Sequence, residues 1–168
     1  MNETAKLGIT LMVVTLIASL ALALTNYYTA EKIVEQKDIA IRESLQKVID
    51  ADNFEEKDGY YEAYKEEQLI GKVLKVEAQG YSSIISALVG VDLDNKITGV
   101  DIVSQEETPG LGANIEKPEF LSQFQDKGAE DMLLKKDGGE IDAVTGATIS
   151  SRAITDGIKG SLEENEKE

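Results

Sequence analysis

The chain has 168 residues, enough for one modest domain and a short additional element. Its 32 Asp and Glu against 17 Lys and Arg give a net charge of −15, which argues against a nucleic-acid partner, whose phosphates need a basic face, and against charge-driven docking on anionic lipid. With no Cys and no His, the chain offers no disulfide, iron–sulfur ligation, thiolate catalysis, usual haem ligand or common zinc site, so redox chemistry here requires an organic cofactor.

In chain order, a short polar lead precedes residues 7–24, LGITLMVVTLIASLALAL, which carry no charge. Extended to Tyr28 as a helix, this run is about 33 Å long, enough to cross a hydrocarbon core of roughly 30 Å. Tyr27 and Tyr28 fall where an interfacial aromatic pair lies. Ala21-Leu22-Ala23 offers a small-x-small cleavage pattern, but Lys6 is the only basic residue before the run, and the run exceeds an ordinary signal-peptide core. An uncleaved transmembrane anchor over residues 1–28 is the expectation. Lys32, Lys37 and Arg42 follow it, and the positive-inside count alone places the C-terminal domain in the cytoplasm.

Residues 29–50 have apolar side chains at near-helical spacing: Ile33, Val34, Ala40, Ile41, Leu45, Val48 and Ile49. They read as a helical stalk or as a helix packed on its own domain, and residues 52–59 break the pattern, so 29–58 is taken as stalk and linker. Strand composition follows at 60–65 and 69–78, then Gly80-Tyr81 punctuates. Residues 84–92 and 96–103 flank Leu93-Asp94-Asn95, a hairpin turn. Glu107-Thr108-Pro109-Gly110-Leu111-Gly112 is a loop with two sharp bends. Residues 118–125 form a short helix that gives Phe120, Leu121 and Phe124 to the core. After an ambiguous Met132-Leu133-Leu134, Asp137-Gly138-Gly139 turns the chain into Ile141.

Residues 142–152, DAVTGATISSR, run from an apolar approach through a tight turn on Gly146 into a helix from Ile149 to about Gly160, with Ile154, Ile158 and Leu162 on one stripe. The acidic residues 161–168 are expected to fray. Thr148 falls at or next to the helix N-cap, with Ser150 and Ser151 in the first turn. The plain reading is a cap. The alternative is a hydroxyl placed beside open N–H groups and the positive end of a helix dipole, a place that favours a phosphate.

The motif ending Thr145-Gly146-Ala147-Thr148 resembles the flavinylation motif of the FMN-binding domain found in the G subunit of Rnf electron-transport complexes and the C subunit of the sodium-translocating NADH:quinone reductase. ETPGLG at 107–112, Gly80-Tyr81 and the strand KITGV at 96–100 also match that family, in the expected order. The resemblance implies an α+β fold: a single N-terminal transmembrane helix, then a small antiparallel-sheet FMN-binding domain with flanking helices over 59–168. It implies FMN held by a phosphoester to Thr148. Thr145, Gly146 and Ala147 would shape the turn and contact phosphate or ribityl groups, and Ile149 and Ser150 would offer N–H donors. Glu107, Thr108, Leu111 and Gly112 would border the isoalloxazine, with Gly80 and Tyr81 on another side, although Tyr81 is equally an ordinary core or surface residue. Maturation would need a flavin transferase using FAD.

The implied function is an electron-relaying covalent flavoprotein subunit. Its partners would be the other membrane and iron–sulfur subunits of an Rnf complex, which couples ferredoxin and NAD+ electron transfer to Na+ or H+ movement. The family places the domain on the extracytoplasmic side of the cytoplasmic membrane, against the local charge count. The shortness of the chain favours Rnf over the quinone reductase. The other readings are an FMN-binding domain of another extracytoplasmic reductase, and a non-redox membrane-anchored assembly module in which TGAT is only a cap.

Overall fold

With Gly8 the only glycine in its first 58 residues and no proline before Pro109, the N-terminal region has nothing to interrupt a helix. It forms one, α1 (Glu3–Val48), in a computed structural model that describes residues 2–167. Over Glu3–Ala30 the helix has a mean hydropathy of 2.5 in its most apolar stretch and no buried residue there, so its length and composition suffice to cross a bilayer. Tyr27 and Tyr28 meet edge to face at 5.6 Å. The chain divides into two units after Ala40, and the last turns of α1 belong to the second unit.

In that second unit five strands form one antiparallel meander in the order β1-β2-β3-β4-β5. They are β1 (Asn53–Glu56), β2 (Tyr60–Lys65), β3 (Gln68–Gln79), β4 (Ile84–Asp92) and β5 (Ile97–Ser104). Alternation along β3 and β4 divides their side chains between two cores, as a two-residue strand period requires. Val73 and Leu88 join Leu45, Val48 and Ile49 on one face. Leu74, Val76, Ala87, Val89 and Val91 face the other, against Ile154, Ile158 and Leu162 of α3 (Thr148–Asn165). This larger core also takes Phe120 from the short α2 (Pro118–Leu121) and Phe124, whose rings meet edge to face at 5.3 Å, together with Met132, Leu134 and Ile141. The α+β architecture is the one expected.

Close approach fixes both layers. Gly90 and Gly99 pair across β4 and β5 beneath the end of α1, where an added Cβ would stand 2.4 Å from the Val48 carbonyl oxygen and 2.9 Å from Val48 Cα, respectively. Thr98 Oγ1 donates to that carbonyl at 2.6 Å, giving a partner to a helix-end acceptor that has none within the helix. Across the sheet, Gly157 lets α3 lie against Val76 and Ala78 of β3.

Two elements differ from expectation. Residues 53–56 form an edge strand where a break is expected; NFEE has one apolar residue and no alternation signal, and it is strand only because β2 supplies its backbone partners. The end of α3 does not fray at 161 but continues to Asn165. Leu162 is fully buried, which contributes on the order of 1.5–3 kcal/mol. Asn165 Nδ2 donates to Asn95 Oδ1 at 2.7 Å, and Lys72 Nζ donates to Asn165 Oδ1 at 2.9 Å.

The β2–β3 hairpin turns on Glu66 and Glu67, both left-handed at φ 49° and 63°, so the chain makes a type I′ turn without the residues that favour it. Each such residue costs on the order of 1 kcal/mol. Changing Glu66→Asn with Glu67→Gly is expected to raise stability by about 1 kcal/mol. Urea unfolding of the full chain in detergent tests this, and an unchanged or lower midpoint would contradict the strain assigned to the turn.

Candidate functional site

Three segments distant in sequence meet at the start of α3. They are the turn after β3 (Gly80-Tyr81-Ser82-Ser83), the loop after β5 that carries residues 107–112, and the approach to α3 from Asp142 to Ala147. Glu107 joins them. Its side chain is buried, at 4% exposure. Oε1 accepts the N–H groups of Ser82 and Ser83 at 2.9 and 3.0 Å, and Oε2 accepts the N–H of Tyr81 at 3.2 Å and the hydroxyl of Ser150 at 2.6 Å. Burial pushes the Glu107 carboxyl up, but these hydrogen bonds, Ser150 first, outweigh it and hold the group below the usual carboxylate range. Room for the carboxylate depends on two glycines. A Cβ on Gly80 would lie 2.5 Å from Glu107 Oε1, and one on Gly112 would lie 2.8 Å from Oε2.

The turn into α3 is built by backbone geometry and one serine. Ala147 N–H donates to Val144 O at 2.9 Å, and Gly146 sits at φ 80°, the third position of a type II turn. Leu111 packs over it so closely that a Cβ on Gly146 would be 2.7 Å from Leu111 Cδ2. The fully buried Ser151 hydroxyl accepts from Val144 N–H at 3.0 Å and donates to Ala147 O at 2.9 Å. Ala147 is the N-cap residue of α3, with no side-chain cap bond, and Thr148 is the first helical residue. The Thr148 hydroxyl therefore does not cap the helix. Thr148 Oγ1 instead accepts a hydrogen bond from Lys136 Nζ at 3.1 Å.

All the residues singled out from the sequence except Gly80 and Thr145 line one cavity of about 510 Å³: Tyr81, Glu107, Thr108, Leu111 and Gly112 from the first two segments, and Gly146, Ala147, Thr148, Ile149 and Ser150 from the third. Gly80 stands behind it, against Glu107. Thr145 lines a neighbouring groove of about 310 Å³ with Asn114, Gln123 and Asp142. Tyr81, Leu111 and Ile149 are 70%, 45% and 54% exposed, so the cavity has an open apolar margin. Glu107 does not present a free carboxylate there, since both oxygens are occupied by protein donors.

Sequence reasoning missed two participants. Lys136 lines the cavity from a loop with no motif of its own, and only the tertiary fold brings it to Thr148. Ser151 was visible in the first turn, but its lock on Val144 needs the turn geometry to be recognised. Among the described residues there is no group of three or more side chains suited to hold a metal ion.

Glu107→Gln keeps an acceptor but turns an NH2 group toward a cluster of donors, and is expected to cost about 1–3 kcal/mol at pH 7. Because the folded carboxyl titrates below its unfolded value of about 4.3, the wild-type advantage is present at neutral pH and is lost as pH falls through the folded value. Denaturation of both proteins at a series of pH values checks this: the gap between them should close on acidification, and a gap independent of pH would contradict the assignment.

Residues 80–163 match the model of a family described as the FMN-binding domain. The chain is 40% identical over 146 residues to the G subunit of the proton-translocating ferredoxin:NAD(+) oxidoreductase complex of Clostridium ljungdahlii, covering 82% of this chain and 79% of that one. It is 33% identical to the G subunit of the Na(+)-translocating ferredoxin:NAD(+) oxidoreductase complex of Acetobacterium woodii, covering 94% and 89% of the two chains. Among solved structures, the C subunit of the Na(+)-translocating NADH-quinone reductase from Parabacteroides distasonis superposes with a TM-score of 0.54 at 26% identity. That match covers 64% of this chain and only 60% of the other. Shewanella oneidensis NqrC shares the fold, with a TM-score of 0.52 at 22% identity over 71% of this chain and 67% of that one. The family match reaches across all three segments of the cavity, and the chain belongs to the FMN-binding domain family, among the G subunits of ion-translocating oxidoreductase complexes.

Proposed function

We propose that the chain is a membrane-anchored electron-transfer subunit of an Rnf-type complex, and that it carries FMN as a phosphoester on Thr148. The observation that carries this reading is the state of the Thr148 hydroxyl. It lies at a cavity of about 510 Å³, bounded by the two separated family motifs, and it is not used to cap its own helix.

The residues fit the cofactor. The first turn of α3 has backbone N–H groups without intrahelical partners, and Lys136 adds a cation beside Thr148, which together suit an anionic phosphate. Tyr81, Leu111 and Ile149 offer exposed apolar surface of the kind a flat aromatic ring system covers. When bound, the flavin supplies the redox chemistry that a chain without Cys or His cannot supply itself.

In maturation, Thr148 Oγ1 is the nucleophile. It loses its proton and forms an O–P bond to the FMN phosphorus of FAD, the pyrophosphate bond breaks and AMP leaves. A separate flavin transferase catalyses the exchange, and no electrons are transferred. The chain's part is to present the hydroxyl on a rigid turn, locked by Ser151 and by the Leu111–Gly146 contact. The apolar portion of α1 anchors the carrier in the cytoplasmic membrane, with the folded domain on the extracytoplasmic side beside the complex's membrane and iron–sulfur subunits.

Co-expression with an active flavin transferase should add the mass of one FMN less one water, visible as fluorescence after denaturation and abolished by Thr148→Ala. Absence of flavin from both proteins, with the transferase active on a control substrate, would sink the covalent reading. In the flavinylated protein, Leu111→Glu places a negative charge at the cavity wall and should make the flavin's midpoint potential more negative. Identical potentials and spectra in a redox titration would remove Leu111 from the ring's surroundings.

A further inference from the structure

Three basic side chains crowd around the turn into α3, and two are already neutralised. Lys135 pairs with Asp142 at 2.5 Å. Arg152, in the second turn of α3, forks onto Asp137, with Nη2 at 2.9 Å from Oδ1 and Nε at 3.1 Å from Oδ2. Lys136 lies between these pairs in sequence, and among the described residues it forms no ion pair. Its ammonium donates to a neutral oxygen, Thr148 Oγ1.

Its backbone is held in place. Leu134 is buried and bridges to Ile141, and Lys135 N–H donates to Ile141 O at 2.8 Å. The Asp137–Arg152 fork ties the other side of Lys136 to α3. The short helical turn Lys135–Asp137 is thus fastened to the chain both before and after Gly146, with Lys136 turned to the cavity. Within the cavity wall it is the sole cation among the described residues, and the sole carboxylate, Glu107, is fully engaged.

We propose that Lys136 is the phosphate-binding residue of this site: its ammonium attracts and holds the anionic phosphate at Thr148 during transfer and pairs with the phosphodiester once it is made. The proposal rests on the Thr148 reading. A chain of net charge −15 repels an approaching anion such as FAD, so a local cation must offset that field where the phosphate is to land. An ammonium suits the task. It presents three donors on a flexible stem and can pass from the hydroxyl oxygen to the non-bridging phosphate oxygens, where charge gathers as the new O–P bond forms. Asp137 and Arg152 act as positioning residues.

The test is the rate of FMN incorporation into the full chain in detergent, with FAD and a purified flavin transferase, read by intact mass and in-gel fluorescence. Lys136→Met should slow labelling by about tenfold or more, and Lys136→Arg should recover most of the rate. Raising salt from about 50 to about 500 mM should narrow the gap between wild type and Lys136→Met, because screening weakens only the protein that has the charge. Since Lys136 is exposed, both variants should melt like the wild type. Labelling of Lys136→Met at the wild-type rate, or a gap indifferent to salt, would overturn this role while leaving Thr148 as the acceptor. A wild type that takes no flavin would instead overturn the covalent reading, and this proposal with it.

Discussion

A carboxylate withdrawn from water has to be compensated group by group, and the site depends on how completely that is done for Glu107. Three backbone N–H groups and two hydroxyls, those of Ser83 and Ser150, converge on its two oxygens. These donors come from the β3–β4 turn and from α3, while the acceptor comes from the loop after β5. One side chain thus fixes the mutual positions of three cavity walls. The family resemblance implies that Glu107 borders the ring; the geometry has it spending both oxygens on the protein, so any contact it makes with a ligand runs through its carbon atoms or through the loop it anchors.

Around that carboxylate, glycine is required where atoms must come close. Gly80 and Gly112 leave room for Glu107, and Gly146 leaves room for Leu111 while taking a left-handed conformation. The GLG and TGAT portions of the motifs are therefore two sides of one contact, Leu111 against Gly146. This contact and the Ser151 lock make the turn stiff. A stiff turn places the Thr148 hydroxyl by geometry rather than by a cap bond, which leaves its oxygen available to Lys136.

The cavity combines two environments that need different surroundings. One is polar, where Lys136 and the open N–H groups of α3 flank Thr148. The other is the exposed apolar margin of Tyr81, Leu111 and Ile149. Large apolar side chains are left in water at a cost unless something covers them, and a ligand with one anionic end and one flat aromatic end matches both environments.

The sequence by itself determined the elements whose signal is local. The uncharged run of α1, the strand composition and partial alternation of β2 and β3, the hairpin turn between β4 and β5 and the 3.6-residue stripe of α3 follow from patterns that survive without neighbours. The turns within the two motifs were legible for a related reason, since glycine, proline and hydroxyl residues at fixed spacing encode turns directly, but that the two turns share a site was implied only by the resemblance to the FMN-binding family. Tertiary structure decided what depends on partners. Strand β1 exists because β2 satisfies its backbone, α3 runs to Asn165 because Leu162 is buried and Asn165 meets Asn95, and Lys136 reaches Thr148 because an ion pair ties its loop to the helix. None of these contacts has a periodicity, since each joins residues whose separation along the chain is arbitrary, and only folding brings them within hydrogen-bond distance.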